Sequence, residues 1–63
     1  MRTFQVTGMT CAHCERAVTQ AIQAREPGAV VRVDLERGQV EVQGQLSDQA
    51  IREAIEEEGY QLG

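Results

Sequence analysis

Lysine and tryptophan are absent from this chain of 63 residues, phenylalanine and tyrosine occur once each, and no long apolar run is present. Each shortage excludes something. Without a stretch of roughly 18 apolar residues there is no candidate membrane span, and the N-terminus lacks the basic start and apolar segment of a secretory signal. A cytoplasmic protein with no direct membrane insertion is therefore expected. With aromatics at 3% of residues, the core has to be aliphatic. Six arginines against ten carboxylates leave a net charge of −4. That balance argues against nucleic acid, because neutralising phosphates takes a basic face, and it disfavours anionic lipid for the same reason. Only two cysteines occur, spaced Cys-x-x-Cys, which is no disulfide framework of a small secreted scaffold. In a reducing compartment they are thiols, and their chemistry becomes the question.

What is present describes a folded chain. A hydrophobic content of 41% with 25% charged residues is globular rather than disordered. The length allows one domain, residues 1–63, which buries only about 60% of its unfolded surface. An internal substrate cleft is not expected in so small a core, and the chain is not read as an enzyme. From Arg2 to Thr7 the pattern alternates, with Phe4 and Val6 on one side, as in a half-buried strand that Gly8 breaks. From about Ala12, the residues Cys14, Ala17, Val18, Ala21 and Ile22 recur at helical spacing, and this helix ends before Pro27 and Gly28. Val31, Val33 and Leu35 alternate in a second strand and Val40 and Val42 in a third, with Glu36-Arg37-Gly38 as the turn between them. Ser47 is the expected N-cap of a second helix with Ala50, Ile51, Ala54 and Ile55 as its apolar stripe. Gly59 ends that helix, and Tyr60 to Leu62 form a last short strand. The order βαββαβ predicts an α+β ferredoxin-like sandwich, two helices on one face of a four-stranded antiparallel sheet.

Met9-Thr10-Cys11-Ala12-His13-Cys14 falls where the first strand hands over to the first helix. Both sulfurs are expected on an exposed loop and an opening helical turn. Helix residues three apart have Cβ atoms about 5–6 Å apart. Two metal–sulfur bonds of about 2.3 Å in line span roughly 4.6 Å. Cys11 and Cys14 are thus spaced to clasp one ion nearly linearly. The positive end of the helix dipole favours thiolate over thiol and stabilises a negative bis-thiolate complex by roughly 0.3–1 kcal/mol. A structural zinc site takes four Cys or His ligands, and this chain offers two Cys and one His. Soft thiolates select Cu(I), which tolerates two-coordination. An open two-ligand site also admits a third thiolate from another protein, so the metal can change hands without being released.

The run Gly8-Met9-Thr10-Cys11-Ala12-His13-Cys14 resembles the Gly-Met-Thr/Ser-Cys-x-x-Cys signature of the heavy-metal-associated domain. Val31-x-Val33-x-Leu35, Val40-x-Val42 and Gly59-Tyr60 extend the likeness over essentially the whole chain. The family includes cytosolic copper chaperones, N-terminal domains of copper-transporting P-type ATPases and mercury-binding proteins. The resemblance implies that Cys11 and Cys14 ligate the metal and that Met9 supports the loop from the core. Tyr60 matches the aromatic that bacterial chaperones of this kind place near the site. The implied function is a cytosolic copper chaperone that passes Cu(I) to a copper-transporting P-type ATPase or a copper-responsive regulator. Starting at Met1 and ending at Gly63 with no linker suggests a free-standing protein.

Other readings stay open at this level. A detached metal-binding domain of such an ATPase would look the same, and a small dithiol redox protein would use the same cysteines. Silver, mercury, zinc or cadmium could occupy the thiolates. His13, between the cysteines, is expected to face solvent, with a third-ligand role or a contact in a copper-bridged homodimer as the sharper alternative. Glu56, Glu57 and Glu58 read as a solvated acidic face or as a docking patch for a basic partner.

Overall fold

Alternation makes a strand of Arg2–Thr7 (β1), whose buried residues are Phe4 and Val6. In the computed structural model, which describes residues 2–9 and 12–63, it is followed by a helix, Ala12–Arg25 (α1). Two strands, Val30–Asp34 (β2) and Gln39–Gln43 (β3), a second helix, Asp48–Glu57 (α2), and a short strand, Gln61–Leu62 (β4), complete the chain. The four strands lie in the order β2-β3-β1-β4, every neighbouring pair antiparallel. The expected α+β ferredoxin-like sandwich is the fold found.

Register puts the apolar sets on one face. Phe4 pairs with Val40, which pairs with Val33, and Val42 pairs with Val31. Against that face lie Cys14, Val18 and Ile22 of α1 and Ile51, Ala54 and Ile55 of α2. Six aliphatic side chains, Val18, Ile22, Val40, Val42, Ile51 and Ile55, are fully enclosed. Each contributes about 1.5–3 kcal/mol by leaving water. The opposite sheet face carries Thr3, Gln5, Thr7, Arg32, Gln39 and Glu41, as the period of two requires.

Some element ends differ from the sequence expectation. The second strand runs Val30–Asp34 rather than Val31–Leu35. Asp34 Oδ1 accepts from the Arg37 N–H at 3.1 Å, which closes the turn one residue early and leaves Leu35 packed on the core from within it. Tyr60 lies outside the last strand, because the ladder between β1 and β4 begins at the pair Thr7↔Gln61. Ala17, Ala21 and Ala50 are half-buried rather than enclosed, since they sit at the borders of their helical stripes.

Polar caps fix the helices. Ser47 is the N-cap of α2, its Oγ accepting from the Ala50 N–H at 3.1 Å. At the other end Gly59, with φ +91°, takes the left-handed turn that stops the helix. Arg25 in the last turn of α1 donates to Glu57 at 2.9 Å and Glu53 at 3.4 Å, joining the helices across their outer surface. The hydrogen bond to Glu57 is the main reason its guanidinium is held still more firmly protonated than usual.

Candidate metal centre

The site begins where β1 ends. Thr7 is the last residue paired with β4, and its Oγ1 donates to the Gln61 carbonyl at 3.3 Å. Gly8 then turns the chain at φ +97°, a conformation that side-chain-bearing residues rarely adopt. Met9 drops into the core and is 6% exposed. Cys11, the other expected ligand, lies outside the described residues.

Cys14 is the third residue of α1, in the opening turn, where backbone N–H groups lack helical partners and the dipole is positive. Its surroundings correct one expectation. The residue is 9% exposed and belongs to the core cluster with Met9 and Val18, rather than standing open on the surface. The reason is helical spacing: Cys14, Val18 and Ile22 are four residues apart and share the inward stripe. A thiolate placed there is shielded from solvent on the core side.

His13 is exposed on α1, one position before Cys14, as the bland reading had it. Among the described residues, no group of three or more His, Cys, Asp or Glu side chains is placed to hold a metal. Tyr60 comes to the site from the far side. It is half-buried against the core, and its Cδ1 stands 3.3 Å from where a Cβ on Gly8 would be. The acidic run at the end of α2 is exposed, but Glu57 is engaged with Arg25. Along the outer side of α1 runs an open groove lined by Ala12, Glu15, Arg16, Thr19 and Gln20. No helix among the described residues is long and apolar enough to cross a membrane.

Sequence reasoning missed the Gly8–Tyr60 contact. The glycine registered as a strand breaker and as the start of the family signature, and a ring packed against an absent side chain leaves no periodic signal.

Known proteins match this arrangement along its length. The family profile described as the heavy-metal-associated domain matches residues 3–61. The copper chaperone CopZ of Bacillus subtilis is 38% identical over 64 residues, covering 97% of this chain and 93% of that protein. CopZ from Staphylococcus aureus is 40% identical over 62 residues, covering 94% and 91% respectively. Among solved structures, the copper chaperone Atx1 from Synechocystis PCC6803, in a form described as Cu2, superimposes with a TM-score of 0.96. Its sequence is 30% identical, and all of both chains is covered.

Proposed function

The chain belongs to the heavy-metal-associated domain family, and on that premise we propose that it is a copper chaperone. Residues 1–63 act as one carrier unit that holds Cu(I) between the thiolates of Cys11 and Cys14. The observation that carries the reading is the placement of Cys14 in the first turn of α1, beside the buried Met9 that follows the turn at Gly8. Near-full-length likeness to proteins named copper chaperones supports the choice of copper.

The chemistry is ligand exchange. Cys14 supplies a thiolate whose charge the helix N-terminus stabilises, and the core behind it excludes water. Cys11 supplies the second sulfur. A receiving protein brings its own thiolate to the loop side, forms a three-coordinate intermediate, and takes the copper as one chaperone sulfur after the other lets go. The receiver is a copper-transporting P-type ATPase or a copper-responsive regulator, met in the cytoplasm. The role is carriage rather than catalysis.

The test is anaerobic titration of the reduced protein with Cu(I) against a competing chelator, with a parallel zinc titration. The double Cys11→Ser, Cys14→Ser variant serves as control. Tight one-to-one binding that outcompetes zinc and vanishes in the variant is expected. More than one copper per chain would point instead to a copper-bridged homodimer. Failure to hold Cu(I), with dithiol–disulfide exchange intact, would replace this function with a redox one.

A further inference from the structure

The two edges of the sheet are protected differently. β4 offers only two residues, and the Gly63 N–H beyond it is already taken by the Gln5 carbonyl at 2.9 Å. β2 is longer, Val30–Asp34, and ends the order β2-β3-β1-β4 with β3 on one side only. A bulge, a proline within the strand or an inward charge would blunt such an edge. β2 has none of them. Its ladder runs unbroken from Val30↔Gln43 to Asp34↔Gln39, Pro27 falls before it, and Arg32 and Asp34 share the open face with Val30. Val30 is 48% exposed, the one exposed large apolar residue among the described residues, and Val31 and Val33 on the core side are only half-buried. An antiparallel second copy centred on Arg32 would set Val31 against Val33 of the second copy, and Val33 against its Val31, closing that apolar row. The same two-fold axis sets Arg32 opposite Arg32, with Cβ atoms about 4.5–5.5 Å apart, where like charges repel. Asp34, the diagonal neighbour, is held by its own turn, its Oδ1 accepting from the Arg37 N–H at 3.1 Å and its Oδ2 lying 3.9 Å from the Arg37 Nε. Moving the axis to Val33 or Val31 escapes the clash but leaves only residues 32–34 or 30–32 of the strand overlapping.

We propose that β2 is a pairing edge for a second copy of this chain and that Arg32 keeps it closed, by placing like charges on the two-fold axis of the only register that uses the whole strand. The edge is gated by charge rather than by shape. Arg32 is exposed, so salt screens the repulsion and opens the edge, while the apolar pairs of Val31 and Val33 are left in place. This inference does not draw on the copper-carrier reading. β2 lies two strands away from β1, whose end leads toward Cys14, and pairing there needs no metal.

Sedimentation velocity on the reduced, metal-free protein, with reductant and chelator present, tests this first without any substitution. Between about 0.01 M and about 1 M sodium chloride the Debye length falls from about 30 Å to about 3 Å. Self-association of the wild-type protein should tighten several-fold over that range. Arg32→Thr removes the charge and keeps a residue suited to a strand. It should dimerise several-fold more tightly than wild type at low salt and respond little to added salt. Arg32→Glu alone should stay monomeric at low salt, whereas its equimolar mixture with wild type should form a heterodimer, because opposite charges then meet on the axis. Amide hydrogen exchange should show added protection in β2 in every such dimer. A wild-type protein that is no more associated at high salt than at low overturns the proposal. So does a folded Arg32→Thr that stays monomeric, a mixture that does not associate, or a dimer that leaves the β2 amides as open as in the monomer. If circular dichroism shows either variant unfolded, the salt dependence of the wild type and the exchange of its β2 amides decide.

Discussion

At the end of the sandwich remote from Cys14, the Glu26 carboxylate accepts from the Gln45 N–H with both oxygens at 2.9 Å and from the Leu46 N–H at 3.2 Å. Arg2 pairs with Asp48 at 2.8 Å, Ser47 caps α2, and Gln23 donates to the Ala29 carbonyl at 3.1 Å. Polar groups with fixed directions lock the end of α1 to the start of α2. At the Cys14 end, Met9 lies in the core, Cys14 sits in the inward stripe, the Tyr60 ring stands against Gly8, and the Thr7 hydroxyl donates to the Gln61 carbonyl at 3.3 Å. Apolar packing such as that of Met9 is non-directional and tolerates small shifts that a multidentate carboxylate clamp does not. A carrier needs a firm frame beneath the place where it accepts and releases an ion.

The sharpest way to break that contrast is to change one residue at each end. Cys14→Ser should reduce Cu(I) retention by orders of magnitude, since a hydroxyl is no soft ligand. Its cost in stability should stay at about 1–3 kcal/mol, from a hydroxyl placed in a buried position. Chelator competition and thermal melting read the two effects separately. Glu26→Ala should do the reverse. Loss of charge-assisted bonds to two backbone amides should cost about 1.5–3 kcal/mol. That lowers the melting temperature by roughly 4–8 °C for each kcal/mol in a domain of this size. Copper retention at temperatures below the melt should stay close to wild type. A large loss of retention in Glu26→Ala would show that the two ends are coupled rather than separate.

The two ends were not equally legible in the sequence. The site end announces itself, because thiols at Cys-x-x-Cys spacing after Gly-Met-Thr carry a chemistry that composition alone makes rare. The frame was legible in its elements, since Phe4, Val6, Val40 and Val42 keep a period of two and Val18, Ile22, Ile51 and Ile55 a helical one. Burial of Cys14 was implicit in its place on the stripe with Val18, but a reading centred on its chemistry put its sulfur outside. The clamp at Glu26 had no sequence signal at all. A glutamate before Pro27 looks like any solvated loop residue, and only the tertiary fold brings 45 and 46 within its reach. Tyr60 was placed near the site through family resemblance, whereas its seat on Gly8 depends on the register of β1 against β4, which a two-residue strand does not encode in its pattern.

Smaller changes at the remote end sharpen the contrast by asking which of its polar contacts matter. Ser47→Ala removes the acceptor for the Ala50 N–H and should cost about 1 kcal/mol, read by thermal or denaturant melting. Restoration by Ser47→Asp would identify the cap, rather than the hydroxyl's other surroundings, as the source.

Arg2→Ala should have the least effect. The pair with Asp48 is short, but the side chains are 36% and 63% exposed, so water and salt screen it. A loss of about 0.2–1 kcal/mol is expected in dilute buffer, and the difference from wild type should shrink as salt is raised toward 1 M. A larger, salt-independent loss would mean that Arg2 contributes by packing its aliphatic stem beside Val42, its register partner, and not by charge. In that case packing would hold part of the remote end, and its directional polar contacts would come down to the carboxylate of Glu26, the cap at Ser47 and the Gln23 amide.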